Sequence, residues 1–203
     1  MKKSSILFLL LALLSFSCQE DEKPIQSSLL SQEEIETLLF TREEEKLAHD
    51  VYIYAFQKYG LQVFQNIANS ETSHVSAVLQ QMNLFQLADP LKGSTVMGEF
   101  TDPVINQLYQ DLTSKVDISL GEAIKVGLTI EDLDILDLQN AISETSQSSL
   151  IQVYSSLKCG SENHMRSFYN QALNNNITYI PQYISPSYFN QIISSSITSC
   201  NSN

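Results

Sequence analysis

Ala68-Asn69-Ser70-Glu71-Thr72-Ser73-His74 sets a carboxylate and an imidazole three residues apart within a long helix-forming run. In an α-helix that spacing stacks the two side chains one turn apart on one face. Ile67, Val78, Met82 and Phe85 recur on the same face at three- and four-residue steps, so Glu71 and His74 are expected to point into a core. An isolated charge is costly there unless it is paired, protonated or bound to a cation. The helix that carries them is predicted over residues 62–87, after Gly60 and before Pro90.

The chain on either side also reads as helix. Ser31-Gln32-Glu33-Glu34 has capping-box spacing and opens a first helix that runs to Tyr59, with an interruption expected at Phe40-Thr41-Arg42. Residues 88–101 hold two Gly and a Pro and read as a loop, and Thr101-Asp102-Pro103 starts a helix that reaches about residue 115. A short helix is predicted over 120–126, broken by Gly127, with another from 128 or 129 to 145. The turn Ser146-Gln147-Ser148 leads into a long helix over 149–173, and a short one is expected over 186–196. No run sustains strand alternation. The fold class is all-α: four principal helices plus accessory pieces.

Each principal helix carries polar residues on its buried stripe. On the first, Leu38, Glu45, Ala48, Tyr52, Ala55 and Tyr59 line up, and on the third Leu128, Glu131, Asp134, Leu138 and Ala141 do so. On the fourth the stripe is Leu150, Tyr154, Leu157, Ser161, His164, Phe168 and Ala172. The chain has 3 His, and two of them, His74 and His164, fall on these stripes. A bound cation would satisfy the inward carboxylates and imidazoles together. Ferritin-like bundles hold two metals with a single Glu from each of two helices and a Glu-x-x-His pair from each of the other two. Glu71 and His74 form one such pair, and Glu45 and Glu131 supply the single carboxylates. The fourth helix departs from the pattern, because Ser161-Glu162-Asn163-His164 has Ser where Glu belongs. Glu162, two residues from His164, should point elsewhere.

On these residues the chain resembles known families. Glu45-Lys46-Leu47-Ala48 with Tyr52 and Tyr54, and the stretch from Ala68 to His74, look like the first two helices of rubrerythrins. Three wider segments are similar to an uncharacterised ferritin-like family of prokaryotes. They are Arg42-Glu43-Glu44-Glu45-Lys46-Leu47-Ala48, Val126-Gly127 with Glu131-Asp132-Leu133-Asp134-Ile135, and Ser161-Glu162-Asn163-His164-Met165-Arg166-Ser167-Phe168. The resemblance covers residues 36–190 and implies a ferritin-like four-helix bundle with accessory helices, and no particular activity. Rubrerythrin relatives use two irons to reduce peroxide or oxidise ferrous ion. No Cys-rich rubredoxin segment is present here.

The candidate metal ligands are therefore Glu45, Glu71, His74, Glu131, Asp134 and His164. Each has a competing reading. Glu71 and His74 could be a buried hydrogen-bonded pair, and Glu45 and Glu131 could be partners of Arg42, Lys46 or Arg166. Asp134 could replace the missing carboxylate or hydrogen-bond to His164 from behind. Ser161 reads as a small core residue and Tyr52 as a phenol donor to a ligand. His49, Glu44, Asp132 and Asp137 are expected to face water, and the acidic run 43–45 in part to reflect the helix-start preference for negative charge.

The N-terminus differs from the rest. Met1-Lys2-Lys3 is a positive region, residues 6–14 are almost uninterruptedly apolar, and Ser15-Phe16-Ser17 precedes Cys18. This is expected to be a signal peptide over residues 1–17, too short to count as a spanning helix of roughly 20 residues. Cys18 resembles a lipobox cysteine, and Gln19-Glu20-Asp21-Glu22 resembles the acidic export tag of surface lipoproteins of the Bacteroidetes. The competing reading is an ordinary secreted protein. Residues 18–30 read as an acidic, polar linker and residues 31–203 as the helical domain. The expected location is the bacterial cell envelope, by lipid anchor on the outer membrane and facing the surface.

The chain carries 11 basic and 23 acidic residues, a net charge of −12, and losing Lys2 and Lys3 with a leader makes the remainder more acidic. That charge excludes nucleic acid as a partner, since binding it requires cationic surface. Contact with membrane is expected only through the anchor. Cys159 and Cys200 are either a disulfide pinning the tail to a late helix or two unrelated thiols.

Carboxylates and imidazoles in a helical core suit dinuclear iron, with Mn or Zn as alternatives. Three functions follow. One is an oxidoreductase or ferroxidase-like protein acting on peroxide, oxygen or ferrous ion. Another is a metal-poor or metal-free ferritin-like module with a structural or interaction role at the cell surface. The third is metal sequestration, to which a tethered chain is poorly suited.

Overall fold

The computed structural model describes residues 30–200, all of whose regular structure is helical. The leader, Cys18 and nearly all of the linker lie outside the described residues. The elements are α1 (Gln32–Tyr59), α2 (Gln62–Leu84), α3 (Pro103–Val116), α4 (Leu120–Glu144), α5 (Ser148–Asn174) and α6 (Pro186–Ser194). Two hairpins, α1–α2 and α4–α5, pack against each other through α2 with α5 and α1 with α4, which makes a four-helix bundle. α3 lies against α1 and α4, and α6 against α5. No helix among the described residues is long and apolar enough to cross a membrane.

The helix ends follow their chemistry. Ser31 and Glu34 form the reciprocal capping box, and Gly60 closes α1 in the left-handed region at φ 66°. Asp102 caps α3 through the amides of Val104 and Ile105, ahead of Pro103. Ser119 caps α4 through the amide of Glu122.

Two expected breaks are absent. α1 runs unbroken past Thr41, whose hydroxyl donates to the Thr37 carbonyl one turn back while Arg42 pairs with Asp89. α4 runs through Gly127. The glycine there permits close packing rather than a turn, because a Cβ on it would lie 2.7 Å from the Phe168 ring. Gly127→Ala should lower stability by about 2 kcal/mol through overpacking, read by denaturant unfolding. A variant as stable as the wild type would show that α4 and α5 can separate without cost.

The core is divided. One apolar cluster holds Ala48, Tyr52, Ile67, Leu128 and Phe168, and the other holds Leu38, Val78, Leu138 and Leu157. All four bundle helices pass from one cluster to the other. On each, the apolar stripe is interrupted between the clusters by polar residues: Glu45 on α1, Glu71 and His74 on α2, Glu131 and Asp134 on α4, Ser161 and His164 on α5. These interruptions meet in one polar layer.

α1 is buried on nearly every side over 41–48. Beyond the core, it clamps the connection between α2 and α3. Glu43 accepts from the Thr101 amide at 2.8 Å, from the Thr101 hydroxyl and from the Asp102 amide. Lys46 bonds Asp50 and the Val96 carbonyl, and Asp50 accepts from the Gly98 amide. On α4, Asp132 does the same for the segment before α6. It accepts from the Tyr179 hydroxyl and the amides of Gln182, Tyr183 and Ile184. The expectation that Asp132 faces water is corrected: it is fully buried, because the 179–184 segment covers that side of α4.

Cys159 and Cys200 are joined in a disulfide, closing a separation of 41 residues. Asn163 reinforces it, donating to the Thr198 carbonyl and accepting from the Thr198 amide.

Candidate metal centre

At the middle of the polar layer, Glu71 presents its two carboxylate oxygens to two different imidazoles. Oε2 lies 2.7 Å from His74 Nδ1, and Oε1 lies 2.9 Å from His164 Nδ1. The rings are stacked with centroids 5.3 Å apart. On the α1 side, Glu45 Oε2 is 3.0 Å from His74 Nδ1. On the α4 side, Glu131 Oε2 is 3.5 Å from His164 Nδ1. Two triads result, Glu45–Glu71–His74 and Glu71–Glu131–His164, each with its ligand atoms within 4.8 Å of one another. Glu71 belongs to both.

These atoms are spaced as donors converging on a point. Two ligands bonded to a metal at about 2.1 Å and at a right angle to each other lie about 3 Å apart. Two buried oxygens of the layer, Glu45 Oε1 and Asp134 Oδ1, have no hydrogen-bond partner. Most buried polar atoms are bonded, so these two mark a place that protein donors alone do not satisfy. The residues fit a cation.

Groups around the triads hold them in place. The Tyr52 hydroxyl donates to Glu131 Oε1 at 2.5 Å, leaving Oε2 turned toward His164. The Ser161 hydroxyl sits between two acceptors, Asp134 Oδ2 and, in the pattern of a helical serine, the Leu157 carbonyl, which share its one proton. Asp134 thus adjoins the triads, bound to the serine that stands where a fourth-helix Glu was expected, and it does not bond His164. His164 Nε2 lies 2.8 Å from the Ser70 hydroxyl. With Nδ1 turned to a bound cation, Nε2 would carry the proton and donate to Ser70, a contact that would fix tautomer and ring orientation. Gly160 gives the His74 ring its space, since a Cβ there would fall 2.4 Å from Nε2.

Ser70 and Gly160 carried no signal in the sequence. Ser70 precedes Glu71 in a polar run and meets a partner 94 residues away. The competing partners of Glu45 and Glu131 are elsewhere: Arg42 with Asp89, Lys46 with Asp50, Arg166 with Glu162. Glu162 also pairs with Lys158, pointing away from the centre as expected.

Glu44 corrects another expectation of solvent exposure. It is buried, where burial first, then Asp134, Asp137 and Glu45, push its carboxyl well above the usual range. Asp137 is half-buried, and His49 is also partly covered, bonding Asp50 at 2.9 Å. The three consecutive carboxylates thus go three ways: Glu43 to the loop, Glu44 to Asp137, Glu45 to the triad.

The electrostatics of the layer follow from burial and from the lack of Lys or Arg in it. Burial pushes Glu45 up to about 7, with His74 opposing the rise, and raises Glu131. Burial and the neighbouring carboxylates Glu45 and Glu131 hold Asp134 well above its ordinary value. Burial works against ionised Glu71 too, but the facing His164 and His74 overcome it and hold that carboxyl far below the usual range. Burial likewise opposes the imidazolium of His164, yet Glu71 and Glu131 lift it to about 10, and Glu71 with Glu45 raises His74 strongly. Without a cation the layer balances its carboxylates with protons.

Fold and centre together define an all-α bundle protein with two buried Glu–Glu–His clusters sharing one glutamate. Residues 34–196 match the family described as an uncharacterized protein domain, DUF2202, and the chain belongs to that family. It is 46% identical over 167 residues to the uncharacterized protein MJ0754 of Methanocaldococcus jannaschii, covering 82% of this chain and 90% of that protein. The crystal structure of hypothetical protein MJ0754 from the same archaeon superposes with a TM-score of 0.81 at 44% identity, over 83% of this chain and 96% of that one.

Proposed function

We propose that this protein is a ferritin-like dinuclear metal protein, distantly akin to rubrerythrin, that acts on peroxide, oxygen or ferrous ion in the bacterial cell envelope, held there by lipid on Cys18. The observation that carries the reading is Glu71, whose two oxygens each complete a different Glu–Glu–His triad. Glu45, Glu71 and His74 would hold one ion and Glu71, Glu131 and His164 the other, with Asp134 adjoining. Iron suits this oxygen and nitrogen donor set, and manganese or zinc are alternatives. When bound, a redox-active pair supplies electron transfer to or from oxygen species.

The chain's own residues supply the setting. Tyr52 and Ser70 hold Glu131 and His164 in place, and the two apolar clusters exclude water from either end of the layer. Loading displaces the protons that the imidazoles and carboxyls otherwise carry. Ser161 favours a second reading, a metal-poor structural or interaction module, because it leaves α5 with one ligand.

Elemental analysis of the full chain, purified from iron-replete cells, separates the two. The first reading expects about two metals per chain, with an absorbance change on adding peroxide. Metal-free protein from such cells would overturn it.

A further inference from the structure

Resting on the metal reading above, we propose that Asp137 and Glu44 form the admission path by which divalent cations reach the centre from a groove between α1 and α4. The groove has a volume of 830 Å³. Five carboxylates line it, Glu36, Glu43, Asp102, Asp137 and Glu144, and no Lys, Arg or His does. A concave surface of one sign bounded by low-dielectric walls focuses field and concentrates counter-ions.

The groove connects inward. Asp137 is half-buried in its wall, one turn of α4 from buried Asp134 and beside buried Glu44. Glu44 is in electrostatic contact with Asp134 and Glu45. Those two residues carry the layer's unpartnered buried oxygens, Asp134 Oδ1 and Glu45 Oε1. A cation leaving the groove therefore meets carboxylate oxygens from the surface to the triad. Glu43 is committed to the Thr101–Asp102 amides and forms wall rather than path. Apolar clusters cover both ends of the layer, and the His74 ring fills the space over Gly160 on the α2–α5 side.

The test follows cobalt(II) uptake by the metal-stripped full chain, using stopped-flow visible absorbance and an equilibrium titration. Asp137→Asn should load about tenfold more slowly, with a weaker salt dependence than the wild type and an unchanged final stoichiometry. Glu36→Gln/Glu144→Gln, at the exposed mouth, should also slow loading, and it guards against misfolding of the wall variant. Asp111→Asn, outside the groove, should load as the wild type does. Wild-type rates in both groove variants would overturn the path while leaving the centre intact. Equal slowing by Asp111→Asn would overturn it too, as an effect of net charge alone, and so would a lost equivalent in Asp137→Asn, which would make Asp137 a ligand. A wild-type chain that takes up no cobalt would overturn path and centre together.

Discussion

Glu71→Ala protein from iron-replete cells is expected to carry almost no metal, a loss of more than about 100-fold in affinity for both ions. The expectation follows from sharing. Removing Glu45 or Glu131 strips one carboxylate from one triad, so either single variant should keep about one ion of the two. Removing Glu71 leaves each triad with one carboxylate and one imidazole, and it uncovers two rings whose main counter-charge was that carboxylate. Elemental analysis across the three variants checks the pattern. A Glu71→Ala chain that retains one full equivalent would show that the triads are independent.

Asp132→Ala should destabilise the fold by about 3 kcal/mol, because the buried Ile184 amide is left unpaired and the part-buried amides of Gln182 and Tyr183 lose a charged acceptor. For a chain of this size that corresponds to a fall in Tm of about 10 °C. Asp132 accepts from the Gln182 amide at 2.5 Å, the Tyr179 hydroxyl at 2.7 Å and the Ile184 amide at 2.9 Å, so one side chain orders the whole approach to α6. Asp132→Asn keeps one acceptor oxygen and should lose less. Calorimetry on metal-free protein checks both, and an alanine variant within about 1 kcal/mol of wild type would show that the 179–184 segment is ordered by other contacts.

What was legible in the sequence had a periodicity to carry it. Glu71 and His74 sit three apart among apolar residues at helical spacing, and that pattern places both correctly without a structure. The same holds for Glu45, Glu131, Asp134 and His164. Glu44 and Asp132 were misread because a stripe argument assumes that one face is dry and the opposite face wet. α1 and α4 are covered on several sides, by α3, the 88–102 connection and the 179–184 segment, so their second faces are buried by chain distant in sequence. Gly127 was misread because a glycine within a helical pattern signals a break and a close packing contact equally well. Phe168, which decides between them, lies 41 positions away.

The three directions taken by residues 43–45 fix the length of α1. Each residue added to a helix rotates everything beyond it by about 100°. A single insertion or deletion between the clamp and the triad would bring a neighbour's carboxylate, or none, to the place that Glu45 occupies. This stretch of α1 behaves as a gauge whose residue count is itself a requirement.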